Sequence, residues 1–204
     1  MNALPHVALE GRRLALLAAS DPCLALSLDE GGRHRLVVAD SASAQQEVDA
    51  LERCPAVGVL PASGGLLGAM TVAENFALAL RYHVDRDDPR DSEQDLEIAL
   101  WRCGLPAQRL ATLGRERPMN LARAERWTLG FALWLLRPPD LLVFDRVFAG
   151  LARRQADALI AVEAVYHQRH PFRPVLFVDL DSHELPDLPD CRWSIFLGEF
   201  AESQ

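Results

Sequence analysis

Apolar positions along this chain follow two patterns, and the alternation between them outlines a fold. Leu141–Phe144 and Val175–Val178 are unbroken apolar runs of strand length, as expected for strands buried on both faces of a parallel sheet. Leu36–Ala39 and Val57–Leu60 are shorter runs of the same kind, and Ser194–Leu197, before Gly198, is placed to close the sheet. Near the start, Val7–Leu9 and Leu14–Ala18 flank the turn Glu10-Gly11-Arg12-Arg13, which predicts a hairpin. Between the strands the spacing becomes helical. Val72–Arg81 has Thr71 as its candidate N-cap, and Gln94–Cys103 follows the charged loop His83–Ser92. Ala122–Leu136 sets Trp127, Phe131 and Trp134 on one face, which reads as core, and stops at Pro138-Pro139. Arg153–Gln168 is a further amphipathic stretch. Strands alternating with helices predict an α/β domain with a mostly parallel sheet flanked by helices. The helical middle, about 70–125, reads as a subdomain inserted into a single domain, 1–204, whose core is 1–69 and 126–204.

Composition narrows the function classes. With 204 residues, half of them apolar, the chain can bury a substantial core. Its net charge of −8, with no basic stripe interleaved with aromatics, argues against nucleic acid as a partner. Cys23, Cys54, Cys103 and Cys191 are scattered without a CxxC pair, which fits a reducing compartment better than a disulfide framework. No signal peptide is visible and no apolar run is long enough to span a bilayer, so a cytoplasmic protein is expected. His167 and His170 form an H-x-x-H pair without a carboxylate at ligand spacing, so the pair reads as surface and no metal site is expected.

One stretch raises a chemical question. Leu141-Leu142-Val143-Phe144-Asp145 is an ordinary way for a buried strand to bring a carboxylate to a metal–phosphate site, yet the next residue is Arg146, a poor neighbour for a metal ligand or a general base. Its surroundings resemble a known family. Val57–His83, reading V-G-V-L-P-A-S-G-G-L-L-G-A-M-T-V-A-E-N-F-A-L-A-L-R-Y-H, is similar to the glutamine-loop region of ABC-transporter ATPase subunits. Its S-G-G-L-L and L-R-Y-H pieces look most like the ATPases of MCE-type lipid transporters. Leu121-Ala-Arg-Ala-Glu-Arg-Trp127 and Leu133–Leu151 then follow the family's order of signature helix, Walker B strand and D-loop. Val175–Asp181 stands where the switch-histidine strand belongs, and the resemblance covers about residues 11–198.

The resemblance implies a P-loop NTPase-like fold and a particular set of positions for nucleotide chemistry. A phosphate loop needs glycines, a lysine and a Ser/Thr hydroxyl. Aligned on Ala18–Leu26, those positions hold Ala18, Asp21, Cys23, Leu24 and Ala25. The glutamine-loop glutamine corresponds to Ala62, the signature residues to Ala122, Arg123 and Ala124, the catalytic base to Arg146 and the switch histidine to Leu180. His183, three residues beyond Leu180, is not promoted to that role. Asp145 alone keeps its type, and pairing with Arg146 is its ordinary reading. Arg123 reads as a solvated first-turn residue beside Glu125, or as a contact to a partner subunit's acidic group or phosphate.

Concerted loss at these positions implies a catalytically degenerate homologue that keeps the fold for another purpose. In the family the loop after the glutamine, here Ser63, Leu66, Leu67 and Met70 with Phe76 of the next helix, receives a coupling helix of the membrane permease. The expected partners are therefore such a permease and a second ABC-type ATPase subunit, in a homodimer or heterodimer, with peripheral placement at the inner membrane. No cofactor is expected. Residual Mg-ATP binding through a rearranged site and a free-standing regulatory role are the alternatives.

Overall fold

The computed structural model describes residues 6–10, 13–18, 21–83, 100–101, 103–105, 107–136, 138–181 and 185–197. Two sheets organise them. A three-stranded antiparallel sheet is built from β1 (His6–Glu10), β2 (Arg13–Ala18) and β3 (Asp21–Ser27), in that spatial order. A five-stranded parallel sheet has the order β5-β6-β7-β4-β8, with β4 Arg33–Val38, β5 Val57–Pro61, β6 Leu141–Asp145, β7 Val175–Leu180 and β8 Cys191–Phe196. The helices are α1 (Ser41–Glu52), α2 (Val72–His83), α3 (Ala107–Leu113), a short 3-10 turn at Pro118–Asn120, α4 (Arg123–Leu136) and α5 (Arg153–Arg169). A mostly parallel sheet covered by helices is the α/β architecture that the apolar patterning predicts. The predicted helix Gln94–Cys103 lies mostly outside the described residues.

Each face of the parallel sheet has its own core. On one side Leu36, Val38, Leu141, Val143, Leu176 and Val178 pack with Ala44, Val48 and Leu51 of α1. On the other, Phe144 and Phe177 stack at 4.6 Å, and Trp127 stacks on Phe131 of α4 at 5.1 Å. Trp127 and Phe131 are thus core, as their spacing predicts, whereas Trp134 is half-buried. The continuous apolar runs of β6 and β7 follow from this two-sided burial.

Two predictions are corrected. Ala18–Leu26, aligned above with a phosphate loop, does not form a loop that leads from a strand into a helix: Ala18 ends β2, and Asp21, Pro22, Cys23, Leu24 and Ala25 belong to β3, paired antiparallel with β2. The physical reason is the hairpin itself, since β2 turns back after two residues and spends its length pairing with β3. Second, β4 begins three residues before the apolar run, because Arg33, His34 and Arg35 are all buried. Arg33 Nε donates to Glu163 Oε2 at 2.7 Å, and Arg35 Nε lies 3.1 Å from Asp179 Oδ2. His34 Nε2 accepts from the Asp29 amide at 3.2 Å, which leaves the proton on Nδ1 to donate to the Val175 carbonyl at 3.1 Å. Burial lowers the pKa of His34, in keeping with that neutral tautomer.

The H-x-x-H pair is also less exposed than its spacing suggests. His167 has a side chain only 14% exposed, with Nε2 2.9 Å from Glu163 Oε1, and His170 Nε2 bonds the Leu135 carbonyl at 3.2 Å. Among the described residues no cluster of His, Cys, Asp and Glu has the makings of a metal site. No described helix is long and apolar enough to cross a membrane.

Candidate functional site

Parallel pairing aligns the carboxyl ends of the strands, where α/β sheets place their ligands. Pro61 is in register with Asp145, Asp145 with Val178, and Val38 with Leu180. One edge therefore carries Ala62 just beyond β5, Asp145 and Arg146 at the end of β6, and Leu180 at the end of β7. A phosphate loop at this edge would have to join a strand to a helix beside Asp145. The junction that does so is β4 to α1, because Arg146 reaches from β6 to Ser41 and Gln45 of α1. The earlier stretch Ala18, Asp21, Cys23, Leu24 and Ala25 takes no part in it.

That junction contains two residues, Ala39 and Asp40, between Val38 and Ser41. A phosphate loop of the GxxxxGK[ST] form places about eight there, with glycine amides turned inward around the phosphates. The amides that open α1 are engaged instead by the chain's own carboxylate. Asp40 is the N-cap, and its Oδ1 accepts from Ala42 N at 2.8 Å and Ser43 N at 2.9 Å. The Ser43 amide, with that of Ala42 and the Ser43 hydroxyl, holds the Asp40 carboxyl below its usual value. A fixed anion thus occupies the helix N-terminus at which a phosphate would otherwise be favoured.

Arg146 fills the rest of the edge. Its Nε donates to Asp145 Oδ1 at 2.5 Å and its Nη2 to Asp145 Oδ2 at 2.8 Å, a bidentate pair. Nη2 also reaches Gln45 Oε1 at 2.7 Å and Nη1 the Ser41 carbonyl at 3.3 Å. The hydrogen bond to Asp145 raises the Arg146 pKa. Its backbone is left-handed (φ 50°), a conformation that costs a non-glycine residue about 1 kcal/mol or more and is retained when surrounding contacts over-determine it. Here four side-chain hydrogen bonds and one from its amide to the Val178 carbonyl at 2.8 Å do so. Both oxygens of Asp145 are committed to a cation, so the carboxylate is poorly placed to hold Mg²⁺. These residues do not fit a magnesium–triphosphate.

The positions that the resemblance aligns with a signature motif open α4. Arg123 is neither free in solvent nor paired with Glu125: its Nη1 donates to the Ala149 carbonyl at 2.6 Å and its Nη2 to that of Val147 at 3.1 Å. Glu125 is taken by Arg109 at 2.6 Å and by the Ala122 amide at 3.1 Å. Ala122 and Ala124 are exposed and contribute no polar side-chain atom.

The loop after β5 differs from the expected groove. Phe76 is core, 5% exposed, and Leu66 packs against the same cluster, so neither lines an open groove. Ser63 is exposed, Met70 half-buried, and Leu67 exposed at 51%. A residue passed over in the sequence holds this loop. Asn75 is 6% exposed, accepts from the Leu67 amide at 2.7 Å and donates to the carbonyls of Leu67 at 3.1 Å and Thr71 at 2.9 Å. The motif T-V-A-E-N carries the signal for it, since Thr71 caps α2 in a capping box with Glu74 and sets Asn75 one turn in, under the loop. His183 lies outside the described residues.

With this geometry in place, likeness to solved structures decides the fold. A dimeric structure of MJ0796, a bacterial ABC transporter cassette, superposes with a TM-score of 0.56 at 12% identity, covering 88% of this chain and 87% of that one. The fold is that of an ABC-type ATPase cassette. A post-hydrolysis dimer of the MJ0796 cassette with ADP and Pi is similar at TM-score 0.56 and 10% identity, over 89% of this chain and 87% of that one. An inward-facing ABC transporter of metal-chelate type gives 0.58 at 13% identity, over 81% of this cassette-like chain and 66% of its own. No protein-family model and no curated protein matches the sequence.

Proposed function

We propose that this chain is a catalytically degenerate ABC-cassette homologue, serving as a structural or docking subunit of a membrane transport complex rather than as a nucleotide hydrolase. One observation carries the reading: the phosphate side of the cassette is closed by the chain's own charges, with Asp40 on the amides of α1 and Arg146 across Asp145 and Gln45. Replacements at Ala62 and Leu180 agree with it, because neither supplies the metal-sensing amide or the switch group of an active cassette. The fold is kept while the chemistry is absent, which fits a protein retained for its surfaces.

The surface nominated for docking is the loop from Ser63 to Met70. Leu67 at its tip is exposed while Asn75 fixes the backbone beneath it, so the loop presents an apolar side chain on a rigid base. The partner in this reading is a cytoplasm-facing segment of a permease, with a second cassette, like or unlike, completing the assembly. A lipid-transport setting of MCE type rests on the likeness of the 57–83 stretch. Isothermal titration with Mg-ATP, checked by a melting scan, tests the central claim. The expected result is no heat and no shift at millimolar nucleotide, and micromolar binding overturns it. The docking claim is checked by co-purification with the permease, expected to be lost in Leu67→Asp.

A further inference from the structure

A second cleft lies away from the closed phosphate edge, between the first turns of α4 and α5 and under the turn that follows β6. Its volume is about 340 Å³. Val147, Leu151, Leu159 and Val162 give it an apolar wall, and Arg123 stands at its rim near Gly150, to whose Cβ position Nη1 would be 3.8 Å away. Three features make the rim positive. Arg123 gives two of its five N–H donors to carbonyls, and among the described residues no carboxylate pairs with it. α4 begins after Ala122 and α5 on Ala152, neither of which has a side-chain oxygen to cap the first-turn amides, so two helix N-termini border one cleft. Glu125 offsets part of the first, with its carboxylate on the Ala122 amide, and Gln155 takes the Ala152 amide at the second. The first turn of α5 adds Arg154, whereas Arg153 is already paired with Asp157 at 3.2 Å and Asp187 at 3.7 Å.

A half-buried guanidinium without a counter-charge is costly, and burial together with neighbouring Arg126 lowers the Arg123 pKa. An anion at the rim would relieve that cost, and the wall behind it would take an apolar tail. We propose that this cleft binds a small monoanion with an apolar tail, a medium-chain carboxylate, with its head on Arg123 and its chain against Val147, Leu151, Leu159 and Val162. At about 30 Å³ per heavy group, comparable to the share of a water molecule, the cleft holds roughly ten heavy atoms, the size of octanoate. Such a volume is at the lower end of ordinary ligand sites. The inference does not depend on whether the phosphate edge binds nucleotide.

The test is calorimetric titration of the intact chain with octanoate, octanamide and acetate, which separate head from tail. Octanoate is expected to bind at least tenfold more tightly than either of the others. Arg123→Gln should reduce that preference at least tenfold. Because Arg123 also holds the 147–149 turn, Ala158→Trp provides a second variant: Ala158 is an exposed lining residue, and an indole there fills the cleft without touching the guanidinium's carbonyl bonds. It should abolish octanoate binding with the melting temperature unchanged. Equal binding of octanoate and octanamide, no binding of octanoate at millimolar concentration, or full binding by a folded Ala158→Trp protein would each overturn the proposal.

Discussion

Arg146 grips Asp145 with both arms of its guanidinium and Gln45 with one of them, so that the last residue of β6 and the first turns of α1 are joined through a single side chain. Asp145 is 5% exposed, and removing its cation leaves a buried carboxylate without a partner. Breaking a buried pair on one side costs about 3–5 kcal/mol, and the partial exposure of Arg146 reduces that to roughly 2–3 kcal/mol. Arg146→Ala is therefore expected to lower the unfolding free energy by that amount, read from urea denaturation. Arg146→Glu, which supplies the residue type that the resemblance to ABC ATPases implies for a catalytic base, is expected to leave phosphate release from Mg-ATP at background, because the α1 amides remain taken by Asp40. Measurable hydrolysis by Arg146→Glu would show that the site can be reopened by one change.

Helix propensity and packing make opposite predictions at Gly130. Replacing a helical glycine by alanine gains about 1 kcal/mol when nothing is in the way. On α4, however, a Cβ at Gly130 would collide with the Gly64 carbonyl, and a Cβ at Gly64 (φ 92°) with the Arg126 carbonyl. Both neighbours are backbone and cannot rotate aside. Overpacking of this kind costs about 1–3 kcal/mol or more, so it overrides the propensity gain. Gly130→Ala should melt several degrees below the parent, at about 2–4 °C per kcal/mol for a chain of this size. A variant as stable as the parent would mean that the loop after β5 does not sit against α4.

How much of this was legible in the chain depends on where each residue's partners lie. Leu141–Phe144 and Val175–Val178 could be read as buried parallel strands because their own composition carries the pattern. The neighbourhood of Asp145 and Arg146 was legible for a local reason: adjacent opposite charges at a strand end tend to meet. β4 was read short because Arg33, His34 and Arg35 look like surface, and what buries them is Glu163, the Val175 carbonyl and Asp179, all more than 125 residues away. α1 has a local signal too, since Ala44, Val48 and Leu51 recur at helical spacing after the capping Asp40, but it lies outside the apolar runs that outline the sheet. Without α1, the resemblance points to the first hairpin as the phosphate loop, one strand–turn ahead of the β4–α1 junction. Arg123 likewise needed the fold, since its carbonyl partners Val147 and Ala149 come from the next loop but one.

Asn75 offers a test of how the exposed loop is held. It makes three hydrogen bonds to Leu67 and Thr71 from a position 6% exposed. Net contributions of about 1 kcal/mol per bond, with the desolvation of groups left unpaired, put Asn75→Ala at about 2–3 kcal/mol of destabilisation. Asn75→Asp keeps an acceptor for the Leu67 amide but sets a carboxylate against two carbonyls. It is expected to be no better than alanine. Amide exchange at Leu67 should accelerate in both variants while exchange in β6 and β7 follows only the global stability. Unchanged protection at Leu67 would remove Asn75 from its assigned role.

Asp179 gives stability a pH dependence whose sign can be worked out. Its side chain is 1% exposed, and burial pushes its carboxyl up to about 7, with nearby Asp145 adding to the rise and Arg35 opposing it. In the unfolded chain the same carboxyl titrates near its usual value, so between about pH 4 and pH 7 the folded state holds a proton that the unfolded state has lost. Stability carried by this group therefore falls as pH rises through that window, by at most about 1.4 kcal/mol per pH unit. His34 works in the opposite direction: its lowered pKa contributes stability that is present above its ordinary value and lost as pH falls below it. The two are separated by Asp179→Asn, which resembles the protonated acid and cannot titrate. At pH 5 the variant should melt close to the parent. At pH 8 it should be the more stable of the two, with an upper bound of about 4 kcal/mol from the rise to about 7. If Asp179→Asn is instead the less stable at pH 8, Arg35 keeps the carboxylate charged throughout, and the ion pair outweighs the burial.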